Sequence, residues 1–325
     1  MKKFMDKDFL LDTDTAKKLF HDYAKNMPIC DYHCHLSPKE IYENEQPSDI
    51  SQLWLSGDHY KWRAMRSCGV DEKYCTGDAS PKEKFVKFGE TLQYCIGNPL
   101  YHWAHIELQR YFGIDTPLNK KTAAEIYDRA NDVIKNGDFR PQTLITKSNV
   151  KYVCTTDDPI DDLKYHKLLK EVKDFNCNVL PSFRPDKALN IQADGFGEYI
   201  KALENAAETK IESYTDVISA LEKRCDYFDS VGCKVSDQAF EYVPYSPADD
   251  EEVNKIFKKA INGEKITDCE SDKYKTPIII ALGKKYHQLG WAMEVHIGAI
   301  RNNSSRMFAK LGADTGFDSV GDKEI

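Results

Sequence analysis

The chain is predicted to be an α/β protein of the (β/α)8 TIM-like barrel type, with a mostly helical insertion after its first strand and its last strands missing. Three observations predict it. From Asn149 onward short apolar runs alternate with helical segments, the rhythm of a parallel sheet. Each apolar run finishes in polar or ionisable residues, and barrel chemistry sits at the C-terminal ends of the strands. No Gly-x-Gly-x-x-Gly follows any run, which argues against a dinucleotide-binding open sheet.

In chain order, Thr13 or Asp14 caps a first helix whose apolar positions Ala16, Leu19, Phe20 and Tyr23 recur at helical spacing. The first strand is read over Pro28 to His35 and ends in His-x-His. Side chains two apart on a strand share a face, so Asp31, His33 and His35 point the same way. Two imidazoles so placed can grip one divalent metal, with Asp31 orienting a ligand from behind. Two of nine histidines could also meet at this spacing by chance on an exposed strand end.

Leu36 to about Leu144 carries little strand signal. Ser80-Pro81-Lys82-Glu83 is a capping box with proline at the first helical position. Its helix carries Phe85, Val86, Phe88 and Leu92. Thr122 to Glu125 caps another helix, which stops at Asn136-Gly137. Strand-like runs then follow at Tyr152–Asp158, Asn178–Arg184, Gly232–Asp237 and Ala292–Gly298. The helices between them are Pro159–Asp174, Phe196–Ala207, Tyr214–Val231, Asp249–Asn262 and one opened by Thr276-Pro277 that runs to Leu289. The expected organisation is an N-terminal helix and first barrel strand over 1–35, the helical insertion over 36–148, and the further βα units, up to the fifth or sixth, over 149–325.

Five strands are found where a barrel needs eight, and a barrel alone takes ~250 residues. The chain also ends on Asp322-Lys323-Glu324-Ile325 with no closing helix, so a C-terminally incomplete barrel is expected. Composition sets further bounds. Hydrophobic residues make up 41% and charged residues 30%, and a net charge of −8 argues against nucleic acid or an anionic membrane as partner. No apolar leader is visible after Met1 and no run approaches a membrane span, which gives a cytoplasmic expectation. Ten cysteines are scattered without a Cys-x-x-Cys pair and read as reduced thiols, mostly buried.

The chain resembles the uronate (glucuronate) isomerase family of the amidohydrolase superfamily. The resemblance covers nearly its whole length. It rests on Asp31-Tyr32-His33-Cys34-His35, on Asp58-His59-Tyr60-Lys61-Trp62-Arg63-Ala64-Met65-Arg66 and on Asn98-Pro99-Leu100-Tyr101-His102-Trp103. It also rests on Ser182 to Asp186, His296 to Asn303 and Asp314 to Asp318. It implies a metal-dependent barrel, an aldose–ketose isomerisation of glucuronate with fructuronate and of galacturonate with tagaturonate, and a divalent cation, usually zinc. In the family the cation is held by the first-strand His-x-His, here His33 and His35, and by an Asp at the end of the eighth strand.

The same resemblance implies that His59 and Tyr60 contact the sugar and shuttle the proton. Arg184, at a strand end, suits the substrate carboxylate or a structural ion pair. Asp237 binds a sugar hydroxyl or serves local structure. His296 is assigned to substrate or to the metal surroundings. Arg301 is assigned to substrate, with capping of the next helix as its alternative. His102 and His105 are expected to pack within the insertion, and His21, His166 and His287 to lie on helix surfaces. The partner is a small-molecule uronate, with self-association left open. Two rival readings are a hydrolase of the same superfamily, for which Lys234 would be the bridging residue, and a non-catalytic scaffold.

Overall fold

The computed structural model describes residues 4–322. The terminal residues read above for a missing leader and a missing closing helix, 1–3 and 323–325, lie outside them. The chain divides into two compact units. One gathers 1–27, 44–144 and 301–319; the other gathers 28–43, 145–300 and 320–325.

The second unit holds the sheet. Its strands are β1 (Ile29–Asp31), β2 (Val150–Cys154), β3 (Asn178–Leu180), β4 (Ser182–Phe183), β5 (Val235–Phe240) and β6 (Ala292–Ile297). β3 and β4 are one strand interrupted at Pro181, which has no N–H to give to the ladder. Across the break the sheet is stitched by Thr155 N–H to Leu180 O and Asp157 N–H to Ser182 O, both 3.0 Å, and by an Asp157–Phe183 bridge. The Asp157 carboxylate also accepts the Ser182 N–H at 3.1 Å. The pairings among these six strands are all parallel and run β1-β2-β3 and β4-β5-β6. Neighbouring strands are therefore consecutive in sequence, the single winding of a barrel rather than the reversing order of an open sheet.

The predicted strand runs are found, with shorter or shifted bounds. β1 stops at Asp31, so His33 and His35 lie beyond the strand rather than on it. The chain still runs beside β2 there, since Cys34 N–H donates to Cys154 O at 3.0 Å. The helices Phe196–Ala207 and Tyr214–Val231 fall where predicted, and Ser213 caps the latter in a capping box with Asp216. The helix expected from Thr276 begins earlier, at Asp268, because Thr267 and Glu270 form a capping box and Pro277 is carried inside it. The helix expected over Pro159–Asp174 is confined to Lys164–Lys170.

The core of this unit is aromatic: Phe183 lies edge-on to Phe228 at 5.1 Å, and Tyr286 stacks on Trp291 at 5.7 Å. Each such buried ring contributes about 1.5–3 kcal/mol by removal from water. His166, expected on a helix surface, is 1% exposed. Its helix turns that face onto the sheet, so the imidazole enters the core.

The first unit has only helices between residues 44 and 144. Thr13 caps the first helix, yet Leu19 and Tyr23 on its apolar stripe remain 57% and 58% exposed. Thr122 precedes its helix without capping it, because its Oγ accepts the Asn119 N–H at 3.1 Å instead and donates to Pro117 O. His105 packs as expected. Its Nε2 accepts the Leu118 N–H at 2.9 Å, which leaves Nδ1 as the N–H that donates to Tyr101 O at 2.6 Å. Among the described residues all ten cysteines are free; Cys30, Cys68 and Cys269 are exposed rather than buried. No described helix is long and apolar enough to cross a membrane.

Candidate metal centre and active site

In the second unit, the segment just past β1, the middle of β5 and the end of β6 bring His33, Asp237 and His296 together. Ligand atoms of the three lie within 4.8 Å of one another. Asp237 comes from mid-β5 and is fully buried. Its Oδ1 is 2.7 Å from His296 Nδ1, and its Oδ2 is 3.6 Å from His33 Nδ1. His33 and His35 rings meet edge-to-face at 5.1 Å, and His33 lies 4.7 Å from the His296 ring. Glu294, two residues before His296 and so on the same strand face, places Oε2 3.7 Å from His33 Nδ1. A cavity of about 530 Å³ opens here, lined by Asp31, Tyr32, His33, Glu294, Val295 and His296.

These donors fit a cation. Asp237 Oδ1 and His296 Nδ1 approach closely but make no hydrogen bond, and His33 Nδ1 and Glu294 Oε2 are also buried without a hydrogen-bond partner. Buried polar atoms are normally paired, so several unpaired ones facing a common point mark a place for an ion. Burial holds the His33 imidazole below its ordinary value, opposed by the Asp237 carboxylate. Burial does the same to His35, helped by His33. Both effects favour the neutral ring, the form that offers a lone pair to a metal. Burial raises the Asp31 and Glu294 carboxyls above their usual range.

Arg184 was read for a substrate carboxylate or an ion pair, and the ion pair is present. Its Nε donates to Asp186 at 2.7 Å and its Nη1 to Asp237 at 3.0 Å. Asp186 is itself tied to β5, accepting the Ala239 N–H at 3.0 Å. Two of five guanidinium N–H groups are thus used and three remain. Asp237 and His296, assigned to substrate from the sequence, sit with His33 in the candidate metal cluster. Lys234 does not: it pairs with Asp229 at 3.0 Å on the surface, so the bridging lysine of the hydrolase reading has no support.

The first unit carries the other predicted residues. His59 and Tyr60 open the helix His59–Ser67, which Asp58 caps by accepting the Tyr60 and Lys61 N–H groups. Their rings stack at 4.5 Å, Tyr60 is 58% exposed, and His59 Nδ1 is buried without a hydrogen-bond partner. The segment Thr315-Gly316-Phe317 is clamped on this helix. Arg63 Nε donates to Gly316 O at 3.1 Å, Arg66 Nη1 donates to Thr315 O, and the Arg66 guanidinium lies 4.4 Å from the Phe317 ring centre. Arg301 pairs with Asp318 at 2.7 Å, and Asp318 also accepts the Asn302 N–H.

Gly316 is obligatory in that clamp. Its φ is +93°, and an added Cβ would fall 2.6 Å from the His59 carbonyl oxygen. Gly316→Ala is expected to lower stability by about 1–3 kcal/mol and to loosen the start of the His59 helix. A thermal melt checks this, and an unchanged melting temperature would contradict it.

The residues that sequence reading missed are Glu294, Asp186 and the buried trio Thr155, Asp157 and His166. Glu294 had a signal, its period-two relation to His296. The trio had none, because it joins a strand end to a helix face.

The model of the glucuronate isomerase family (UxaC) matches residues 1–325. The uronate isomerase of Caldanaerobacter subterraneus subsp. tengcongensis is 56% identical over 325 residues, which is 100% of this chain and 70% of that protein. The uronate isomerase of Clostridium acetobutylicum is 53% identical over 325 residues, 100% of this chain and 69% of that protein. Among solved structures, the uronate isomerase of Thermotoga maritima superposes with a TM-score of 0.93 at 34% identity, over 99% of this chain and 70% of that one. The glucuronate isomerase of Caulobacter crescentus, at 23% identity and a TM-score of 0.89, shares the fold over 100% of this chain and 69% of that one. The chain belongs to the glucuronate isomerase family and is an isomerase.

Proposed function

We propose that the chain interconverts an aldohexuronate and a ketohexuronate, glucuronate with fructuronate and galacturonate with tagaturonate, with a divalent cation of the zinc class held by His33, Asp237 and His296 beside His35. The convergence of those ligand atoms within 4.8 Å carries the reading. When bound, such a cation polarises a sugar carbonyl as a Lewis acid.

The chain's own residues do the rest. The reaction moves a proton from C2 to C1 of the aldose and the hydroxyl proton from O2 to O1, so no atom is gained or lost. Asp237 holds His296 and Arg184 in place from a fully buried position. Arg184, fixed by Asp186 and Asp237, keeps three N–H donors for the substrate carboxylate, which a guanidinium can take with two parallel bonds. For His59 and Tyr60 the support is local. An unpaired ring nitrogen stacked against an exposed phenol gives a proton-accepting and a proton-donating atom side by side. The Tyr60 ring also faces the Arg63 guanidinium at 5.5 Å, which helps to hold the ring in place. A soluble small-molecule enzyme of this kind is assigned to the cytoplasm.

The test is conversion of a uronate to its ketose with no change in mass, together with metal content of the purified protein. His33→Ala is expected to abolish both conversion and bound metal. Full metal content in that variant, or no ketouronate from the metal-loaded wild type, would overturn the assignment.

A further inference from the structure

We propose that Arg66, locked in place by Glu72, is a positioning residue for His59 and Tyr60, acting through the segment Thr315-Gly316-Phe317; the inference rests on the proton-transfer role given to that pair above. His59, Arg63 and Arg66 stand four and seven apart on one helix, so they share a face. The segment lies along that face. Arg66 Nη1 donates to Thr315 O, Arg63 Nε donates to Gly316 O at 3.1 Å, and Gly316 packs against the His59 carbonyl.

Arg66 is itself fixed from outside the helix. Its Nε and Nη2 each donate to a different oxygen of Glu72 at 2.7 Å, a fork that sets the guanidinium plane. Glu72 opens a short turn (Glu72–Tyr74) and also accepts the Thr76 hydroxyl at 2.6 Å. With its plane set, the guanidinium keeps Nη1 for Thr315 O and one face for the Phe317 ring, 4.4 Å away. The segment is therefore pressed onto the first turn of the helix, the place where a helix frays most readily. Both rings stand on that turn. Tyr60 is 58% exposed, so core packing does little to hold it, and His59 leans on it at 4.5 Å.

The alternative is that Arg66 and Glu72 only stabilise this unit, and the experiment separates the two. Amide hydrogen exchange and the ring resonances of isotope-labelled His59 are compared in wild type, Arg66→Ala, Arg66→Lys and Glu72→Gln, with ketouronate formation measured on the same samples. Arg66→Ala is expected to shift the His59 resonances and to speed exchange at Tyr60 and Lys61 at least about 10-fold, while Met65 stays within about 2-fold of wild type. Its kcat is expected to fall about 10- to 100-fold with KM within about 2-fold, the pattern of misplaced reacting groups. Arg66→Lys keeps the charge but loses the fork and the stacking, and Glu72→Gln weakens the fork, so both should fall between alanine and wild type. These two variants decide the matter where the alanine variant does not fold. Wild-type exchange and resonances at His59, Tyr60 and Lys61 in every variant, or exchange speeded equally at Met65, would overturn the inference. His59→Ala with wild-type turnover would remove the proton-transfer role itself, and the inference with it, whatever the exchange rates show.

Discussion

Truncating Asp237 to alanine is expected to cost the fold about 3–5 kcal/mol and to remove cation binding in the same variant. The carboxylate is fully buried and faces three groups: Arg184 Nη1 at 3.0 Å, His296 Nδ1 at 2.7 Å and His33 Nδ1 at 3.6 Å. Removing it leaves a largely buried guanidinium with Asp186 as its remaining partner, and a cavity where a side chain was. Breaking such a pair from one side costs far more than the pair was worth, because the survivor keeps its desolvation penalty. Asp237→Asn retains the volume and a hydrogen-bond acceptor, so its loss of stability should be smaller while its loss of metal remains. Urea unfolding of the metal-free variants measures the first effect. A loss below about 1 kcal/mol for the alanine variant, the scale of an exposed pair, would mean that Asp237 is not the keystone described here.

The second large effect lies in the Thr155–Asp157–His166 trio. Thr155 Oγ is 2.7 Å from Asp157 Oδ2 and 2.8 Å from His166 Nε2, and it has one proton to give. If Thr155 donates to Asp157, His166 must donate from Nε2, which matches its unpartnered Nδ1. Burial pushes the Asp157 carboxyl up to about 7 and the His166 imidazole down to about 4. The signs are opposite. As pH falls below 6.5 the unfolded chain protonates His166 while the folded chain does so only near 4, so His166 alone makes stability fall with falling pH over that window. As pH rises above 3.8 the unfolded chain releases the Asp157 proton while the folded chain holds it to about 7, so Asp157 alone makes stability fall with rising pH.

Where the windows overlap, folded and unfolded pairs each hold one proton, and the two slopes cancel wherever that proton sits. The expected result is that this pair adds no pH dependence in the wild type between about pH 4 and pH 6.5, whereas each single variant gains a slope relative to it. His166→Gln should lose roughly 3 kcal/mol relative to wild type on going from pH 4 to pH 6.5, and Asp157→Asn should gain roughly 3 kcal/mol over the same range. Urea melts at four pH values decide it. Slopes equal to wild type in both variants would show that the two groups are not buried as described.

Much of the architecture is legible in local patterns. The helices Phe196–Ala207 and Tyr214–Val231 have clear stripes, and a capping box opens the latter; both appear at the predicted residues. The five apolar runs are all strands, since β-rich segments between helices have little alternative use. Where local reading fails, a specific competitor wins. Thr276-Pro277 looks like a helix start, but the Thr267 capping box nine residues earlier is satisfied first and the helix runs through the proline. His166 looks like a surface residue because its neighbours Lys164, Lys167 and Lys170 are charged, yet the opposite face of that short helix is the one that packs.

His33, Asp237, His296 and Arg184 were all marked as site residues from their positions at strand ends. Their chemistry was not legible in the same way. A strand end says that a side chain reaches the mouth of the sheet; it does not say which neighbour it meets there. Asp237, read for a sugar hydroxyl or local structure, thus meets His33 and His296 in a candidate metal cluster, and Arg301, read for substrate or helix capping, meets Asp318.

By itself the sequence determined the order of strands and helices, the polar tips of the strands and the family to which they belong, because these depend on residues a few positions apart. Only the tertiary structure decided which tips meet, that Glu294 stands beside His33, and that a histidine and an aspartate are sealed in the core. Those outcomes depend on contacts between β1, β5 and β6, segments far apart in the chain, and such contacts arise only when the parallel sheet winds them side by side.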